Sequence, residues 1–227
     1  RHIVYKIDDW AKSIDIINNA IEKRNKILLI CNQVKRSQNL YSQLSDLYPS
    51  VKKMLIHSRF KRSDRQKLEK ELNEVFNQSS EACIVVATQV VEVSLDISFD
   101  VMITECAPID ALIQRFGRIN RKRTIETIGK YKPIYVLQPP LKESEALPYS
   151  KDVLQRSFDV LPNGELMQEN SVQDMLDKVY PNIEVGCIDY SGAIFIDNEW
   201  QLKKLRHLGK SALLDVLDID SAICITE

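Results

Sequence analysis

The run Gln114-Arg115-Phe116-Gly117-Arg118-Ile119-Asn120-Arg121 gathers the groups best suited to chemistry in this chain. On a helix, Gln114, Arg118 and Arg121 fall at i, i+4 and i+7 and share one face, while Leu112, Phe116 and Ile119 fall on roughly the opposite, buriable face. The spacing predicts a helix anchored by its apolar side that projects two guanidinium groups into a cleft. Two rigid forks of N–H donors with permanent charge suit a polyphosphate whose terminal group gains charge during transfer. A solvated basic helix is the competing reading, and the upstream context favours the first.

That context is a buried strand and a polar loop. Ala82 to Thr88 is a nearly unbroken apolar run rich in β-branched residues, as expected of a strand covered on both faces. It opens into Gln89-Val90-Val91-Glu92-Val93-Ser94-Leu95-Asp96, and a second short strand follows at Asp100–Thr104. Pro108-Ile109-Asp110 then marks a helix start. Thr88, Asp96, Arg118 and Arg121 are thereby expected at strand ends or on a helix face, and in open α/β sheets ligands bind at the carboxyl ends of strands.

These two segments resemble motifs V and VI of superfamily 2 helicases. Ala87 to Asp96, followed by Ala107-Pro108-Ile109-Asp110-Ala111-Leu112-Ile113-Gln114-Arg115, is closer still to the signature helicase–nuclease of type I CRISPR interference. Ile56-His57-Ser58-Arg59-Phe60 with Asp64-Arg65 fits the same branch. The resemblance is strong over residues 26–137 and weaker from Tyr149 to Tyr180. Ser98 departs from it, standing where an acidic residue is expected before Phe99-Asp100. The resemblance implies a RecA-like second motor domain whose Arg118 and Arg121 reach the γ-phosphate of ATP, with Arg121 favoured as the finger and Gln114 at the phosphate or its water. It implies that Asp96 accepts from the ribose hydroxyls, with a turn cap as the alternative. Thr88 is implied to contact a nucleic-acid phosphate, unless its hydroxyl caps its own turn. Asn32, Gln33, Ser58 and Arg59 are further backbone contacts. Glu92 is placed with the ATP-binding residues, and it could also tether an arginine of the Gln114–Arg121 segment or be a solvated turn residue. His57, at a strand end, reads as a packed histidine.

The rest of the machinery is expected elsewhere. A motor of this kind requires a G-x-x-x-x-G-K-[ST] loop and acidic residues for magnesium. In this sequence Gly209-Lys210-Ser211 has Lys204 at the first-glycine position, so it reads as a surface turn. No His-Asp dipeptide occurs among three histidines, and a metal nuclease site is not expected here. The implied partners are a first motor domain holding ATP and Mg2+, a nuclease domain of the same protein, single-stranded DNA and a guide-RNA surveillance complex. The chain alone is expected to lack ATPase activity. A net charge of −1 excludes a globally basic nucleic-acid binder. Locally, Arg115, Arg118, Arg121, Lys122, Arg123, Lys130 and Lys132 face Glu126 alone. Cys31 and Cys83 lie in apolar runs without metal-ligand spacing and are expected as core thiols; a reducing cytoplasm is the expected compartment, with no membrane role.

The fold class is therefore α/β: a RecA-like parallel sheet with helices on both faces, plus a C-terminal accessory segment. Strands are expected at 26–31, 51–57, 82–88, 100–104 and 131–137. Helices are expected at 14–21, from about 34 to 48, and from Ser63, where Ser63-x-x-Gln66 fits a capping box. The loops carrying Asn32, Ser58 and Thr88 should then share one edge. Residues 1–137 are assigned to the motor domain, 138–150 to a linker, and 151–227 to accessory helices and short strands. The accessory part is expected to hold helices at 151–161 and 171–180, strands around Gly192, a helix near Ser211–Leu217 and an apolar run at 222–225. Two other readings stand beside this one: a docking module for a surveillance complex or inhibitor, without turnover, and an RNA or repair helicase of the same superfamily.

Overall fold

The computed structural model describes residues 1–92, 95–121 and 128–181, together with the strands at 193–196 and 199–202. In chain order the elements are β1 His2–Ile7, α1 Ser13–Glu22, β2 Lys26–Ile30, α2 Val34–Leu47, β3 Lys52–Ile56, α3 Arg62–Glu71, β4 Cys83–Ala87, β5 Val101–Thr104, α4 Ile109–Phe116 and β6 Lys132–Leu137. They continue with α5 Glu143–Ala146, α6 Lys151–Val160, β7 Glu165–Leu166, α7 Val172–Val179, β8 Ala193–Ile196 and β9 Glu199–Leu202.

Seven strands form one sheet in the order β3-β4-β2-β5-β6-β1-β7, parallel throughout except for β7 against β1. Apart from Lys26 at the start of β2 and Thr104 at the end of β5, the central strands β2, β4 and β5 are apolar, because both faces are covered. Leu28 and Ile30 of β2, Cys83, Val85 and Ala87 of β4 and Met102 of β5 point into one layer, packed by Leu72, Phe76, Ile109, Leu112, Phe116, Leu154 and Val179. Ile27, Leu29, Ile84, Val86, Val101 and Ile103 point the other way, onto Ile17 and Ala20 of α1 and Leu44 of α2. Alternation along each strand thus sorts its side chains between two cores. The expected α/β fold with helices on both faces is what the sheet shows, and Cys31 and Cys83 are core thiols.

Three expectations differ from the structure, and one strand was not announced. α4 stops at Phe116, so Arg118 and Arg121 do not lie on its face. After Gly117 the chain turns, the Arg118 carbonyl accepts Phe99 N–H, Ile119 bridges Phe99, and Asn120 takes a left-handed φ of 51°. Pairing to the segment before β5 replaces helical hydrogen bonds there. The Ser63 capping box is also absent: α3 begins one residue earlier, with Lys61 at its N-cap and no side-chain cap bond. The expected boundary at residue 137 is not a break between compact units. Residues Arg1–Pro181 form one compact unit, because β7 pairs with β1 and Leu154, Leu161, Met167 and Val179 join the first core. β1 itself, His2–Ile7, supplies a sheet strand that the sequence pattern did not announce. Asn182–Glu227 is the second unit, in which β8 and β9 pair antiparallel, just beyond Gly192. The helix expected near Ser211–Leu217 and the run at 222–225 lie outside the described residues. Among the described residues, no helix is long and apolar enough to cross a membrane.

Candidate functional site

The residues singled out by sequence fall at two opposite ends of the sheet. At the carboxyl ends, Asn32 follows β2, His57 and Ser58 follow β3, Thr88 follows β4 and Glu105 follows β5. Hydrogen bonds knit these tips together: Cys31 N–H donates to the Ala87 carbonyl at 2.9 Å and Glu105 N–H to the Ile30 carbonyl at 2.9 Å. The shared edge expected for Asn32, Ser58 and Thr88 is therefore present.

What occupies the middle of that edge is Arg115, a fully buried arginine. Its Nε donates to Glu92 Oε1 at 2.8 Å, Nη1 to Thr104 Oγ1 at 2.8 Å and to the Glu105 carbonyl at 3.1 Å, and Nη2 to Asn32 Oδ1 at 3.0 Å. Asn32 in turn receives no outside partner through its amide, because Nδ2 donates to the Cys106 carbonyl at 2.7 Å and its main-chain N–H donates to Glu105 Oε2 at 2.6 Å. Gln89 Nε2 donates to the Asn32 carbonyl at 2.9 Å. Burial raises the Glu105 carboxyl pKa, and the Arg36 charge 3.0 Å away, the Asn32 N–H and Arg115 pull against that rise.

This network places three of the expected site residues in the interior. The Glu92 carboxylate, expected among the ATP-binding residues, points inward and neutralises Arg115, whose isolated charge would be costly in the interior. Asn32, expected at the nucleic-acid backbone, is 6% exposed with both amide atoms engaged. Thr88, at 1% exposure, does not present its hydroxyl at the surface. Gln33 is half-buried and donates to the Leu147 carbonyl at 3.0 Å. Ser58 and Arg59 do stand exposed on this edge. His57 is buried and stacked on Phe60 at 4.3 Å, with burial lowering its pKa, as befits a packed histidine.

Arg115 was legible but not singled out. It falls with Leu112, Phe116 and Ile119 at i, i+3, i+4 and i+7, so it is a charge on the apolar stripe, and a charge there needs a buried partner.

The second cluster sits toward the amino ends. Asp96 and Ser98 bond to Asn77, and Asp100 N–H donates to the Lys26 carbonyl at the start of β2. The turn after α4 is tied to the same level, since the Ile119 carbonyl meets His2 Nε2 at 2.8 Å at the start of β1. Arg118 is 8% exposed, and its two Nη atoms donate to the main-chain carbonyls of Leu95 and Glu92. Its Nε is buried without a hydrogen-bond partner. Burial, then the nearby Arg121 charge, lowers the Arg118 pKa. Arg121 is different. Its side chain is 43% exposed and meets the 72% exposed Asp96 at 3.1 Å, with a longer contact to the Leu95 carbonyl at 3.4 Å. Gln114 is exposed on α4. The residues expected at strand ends or on a helix face thus fall into two separated clusters, with Thr88 at the carboxyl ends and Asp96, Arg118 and Arg121 toward the amino ends.

The model for the CRISPR-associated nuclease/helicase Cas3 C-terminal family matches residues 23–124. A putative CRISPR-associated nuclease/helicase Cas3 from Methanocaldococcus jannaschii is 33% identical over 213 residues, covering 88% of this chain and 28% of that protein. A crystal structure of T. fusca Cas3 with ATP superposes with a TM-score of 0.69 at 26% identity, over 78% of this chain and 24% of that one. A CRISPR RNA-guided surveillance complex in a pre-nicking state contains a chain that matches with a TM-score of 0.67 at 27% identity, over 80% of this chain and 25% of its own length. This chain therefore spans about a quarter of the length of these relatives.

Proposed function

This chain belongs to the Cas3 nuclease/helicase family as its second RecA-like domain, and we propose that Arg121 and Asp96 form one wall of an ATP site whose other wall is a first motor domain. The observation that carries this reading is the state of Arg121. An exposed ion pair is worth at most about 1 kcal/mol, so Arg121 can exchange Asp96 for a phosphate oxygen at small cost. Arg115 cannot leave its partners that way, since breaking a buried pair costs about 3–5 kcal/mol. Arg121 is then the arginine finger, Arg118 braces the carbonyls of Glu92 and Leu95 behind it, Asp96 turns to the ribose hydroxyls once released, and Gln114 lies near the phosphate or its water.

Bound ATP supplies the phosphoryl group that is transferred to water. Mg2+ belongs to the first motor domain in this reading; among the described residues no three His, Cys, Asp or Glu groups converge. The carboxyl edge takes single-stranded DNA through Ser58 and Arg59, with Thr88 joining after its loop shifts. Phosphate contacts carry no base identity, so binding is sequence-tolerant and weakens with salt. Closing and reopening the two motor halves moves the strand along, in a protein that also carries a nuclease domain and is recruited by a guide-RNA surveillance complex.

A docking role without turnover finds its support in Leu141 and Leu147, which are 80% and 57% exposed in the segment after β6. One reconstitution separates the readings. The chain alone should not hydrolyse ATP; adding the first motor domain should restore hydrolysis, and Arg121→Ala should block the restoration. Turnover by the chain alone contradicts the half-site, and no turnover in the mixture favours docking.

A further inference from the structure

The two clusters are joined by a continuous run of hydrogen bonds, and Glu92 is where they meet. Its carboxylate accepts from Arg115, whose other arms hold Asn32 and Thr104 at the strand tips. Its main-chain carbonyl accepts from Arg118, which also grips the Leu95 carbonyl, and Arg121 touches that same carbonyl. On the far side, the Asn32 carbonyl accepts from Gln89, in the short 3-10 turn Gln89–Val91 directly after Thr88. Resting on the reading of the preceding subsection, we propose that Glu92 and Arg115 are positioning residues that couple strand binding at the carboxyl edge to the arginines at the nucleotide turn.

The physical case has two parts. First, the middle of the run is rigid. Arg115 is fully buried with four acceptors at 2.8–3.1 Å, so a displacement of Asn32 or Thr104 is carried to Glu92 rather than absorbed. Second, the outer end can move. The turn after β4 is closed on itself by one short main-chain bond, Glu92 N–H to the Gln89 carbonyl at 2.9 Å, but its start is anchored by long ones, Thr88 N–H to the Ile56 carbonyl at 3.3 Å and Val91 N–H to the Thr88 carbonyl at 3.4 Å. A phosphate seated on that edge draws the turn outward and, through Gln89 and Asn32, re-aims the Arg115–Glu92 pair. Because Arg118 and Arg121 both bond to the Leu95 carbonyl, the shift reaches the finger. Nucleotide capture by Arg121 runs the same path in reverse, as linkage requires.

The experiment is a coupling measurement on the full-length protein. The affinity for a labelled oligothymidylate is measured by anisotropy with and without a non-hydrolysable ATP analogue. The parent should show a ratio of at least about fivefold, the lower bound of ordinary coupling. Glu92→Gln should bring the ratio to within about twofold of unity, with a cooperative thermal melt confirming the fold. Should Glu92→Gln fail to fold, Asn32→Ala, which removes the Arg115 Nη2 acceptor and leaves the ion pair, reads the same effect. Arg24→Gln breaks the exposed Arg24–Glu81 pair, which touches no member of the run, and should keep the parent ratio. A full ratio in folded Glu92→Gln or Asn32→Ala overturns the coupling while leaving the ATP half-site intact. A parent that binds neither nucleotide nor DNA overturns the half-site reading and the coupling with it.

Discussion

Two arginines six residues apart stand in opposite environments at opposite ends of one sheet. Arg115, at the carboxyl edge, is fully buried and fully partnered, whereas Arg121, toward the amino ends, is 43% exposed on its side chain and held by one solvated carboxylate. The desolvation of Arg115 is offset by Glu92, Asn32, Thr104 and the Glu105 carbonyl, and that full set of partners makes it part of the fold. Arg121 has surrendered little water and gained little energy, which leaves it free to act on a ligand. In the proposed reading, the same residue type in the same segment is structural or chemical according to what has already claimed its donors.

The largest expected effect tests the exposed end. Arg121→Ala should lower ATP turnover of the full protein by about 10³- to 10⁵-fold, roughly 4–7 kcal/mol of barrier, with the melting midpoint nearly unchanged because the Asp96 pair contributes at most about 1 kcal/mol. The mirror substitution at the buried end is Glu92→Ala. Urea unfolding should show a loss of about 3–5 kcal/mol, since the Arg115 charge stays buried without its counter-ion; a loss below about 1 kcal/mol would erase the contrast.

Acid should act on the amino-end cluster. Burial depresses the His2 pKa from 6.5 to about 4, partly opposed by its bond to the Ile119 carbonyl. A histidine kept neutral in the fold contributes stability that is fully present above pH 6.5 and lost as pH falls toward 4. The loss is about 3 kcal/mol, and His2→Gln should flatten that part of the stability–pH curve. Glu105 behaves oppositely at the other edge: its raised pKa favours the acid form, so its contribution declines as pH rises through that pKa.

Smaller effects sharpen the surface assignments. Arg59→Ala should reduce the salt slope of single-strand binding by about 0.7, and an unchanged slope would remove Arg59 from the path of the strand. Ser63→Ala should alter stability by less than about 0.5 kcal/mol, whereas a true N-cap serine would cost about 1 kcal/mol.

How much of this was legible in sequence follows from range. The strands 26–30, 83–87 and 101–104 were readable because burial on both faces writes itself as continuous Val, Ile and Leu. The buried Arg115 left a signal in its position on the apolar stripe, and Glu92 was correctly suspected as a tether. The arginine turn was misread because the local period continues past Phe116, while the backbone of residues 118–120 is claimed by Phe99, a partner 19 residues upstream of Arg118. β1 and β7 were missed for the same reason: HIVYKI mixes charge into a short run, and β7 is two residues long and exists through its pairing with Ile3 and Val4. Where a neighbour in space rather than in sequence sets the conformation, local pattern is silent.

The central claim is that Arg121, and not Arg115, does chemistry. Single-turnover ATP hydrolysis and thermal unfolding, measured side by side on Arg121→Ala and Arg115→Met in the full protein, test it most directly. The account predicts an Arg121→Ala protein with parental melting and at least a thousandfold slower turnover, against an Arg115→Met protein whose melting falls first. Parental turnover in Arg121→Ala would contradict it.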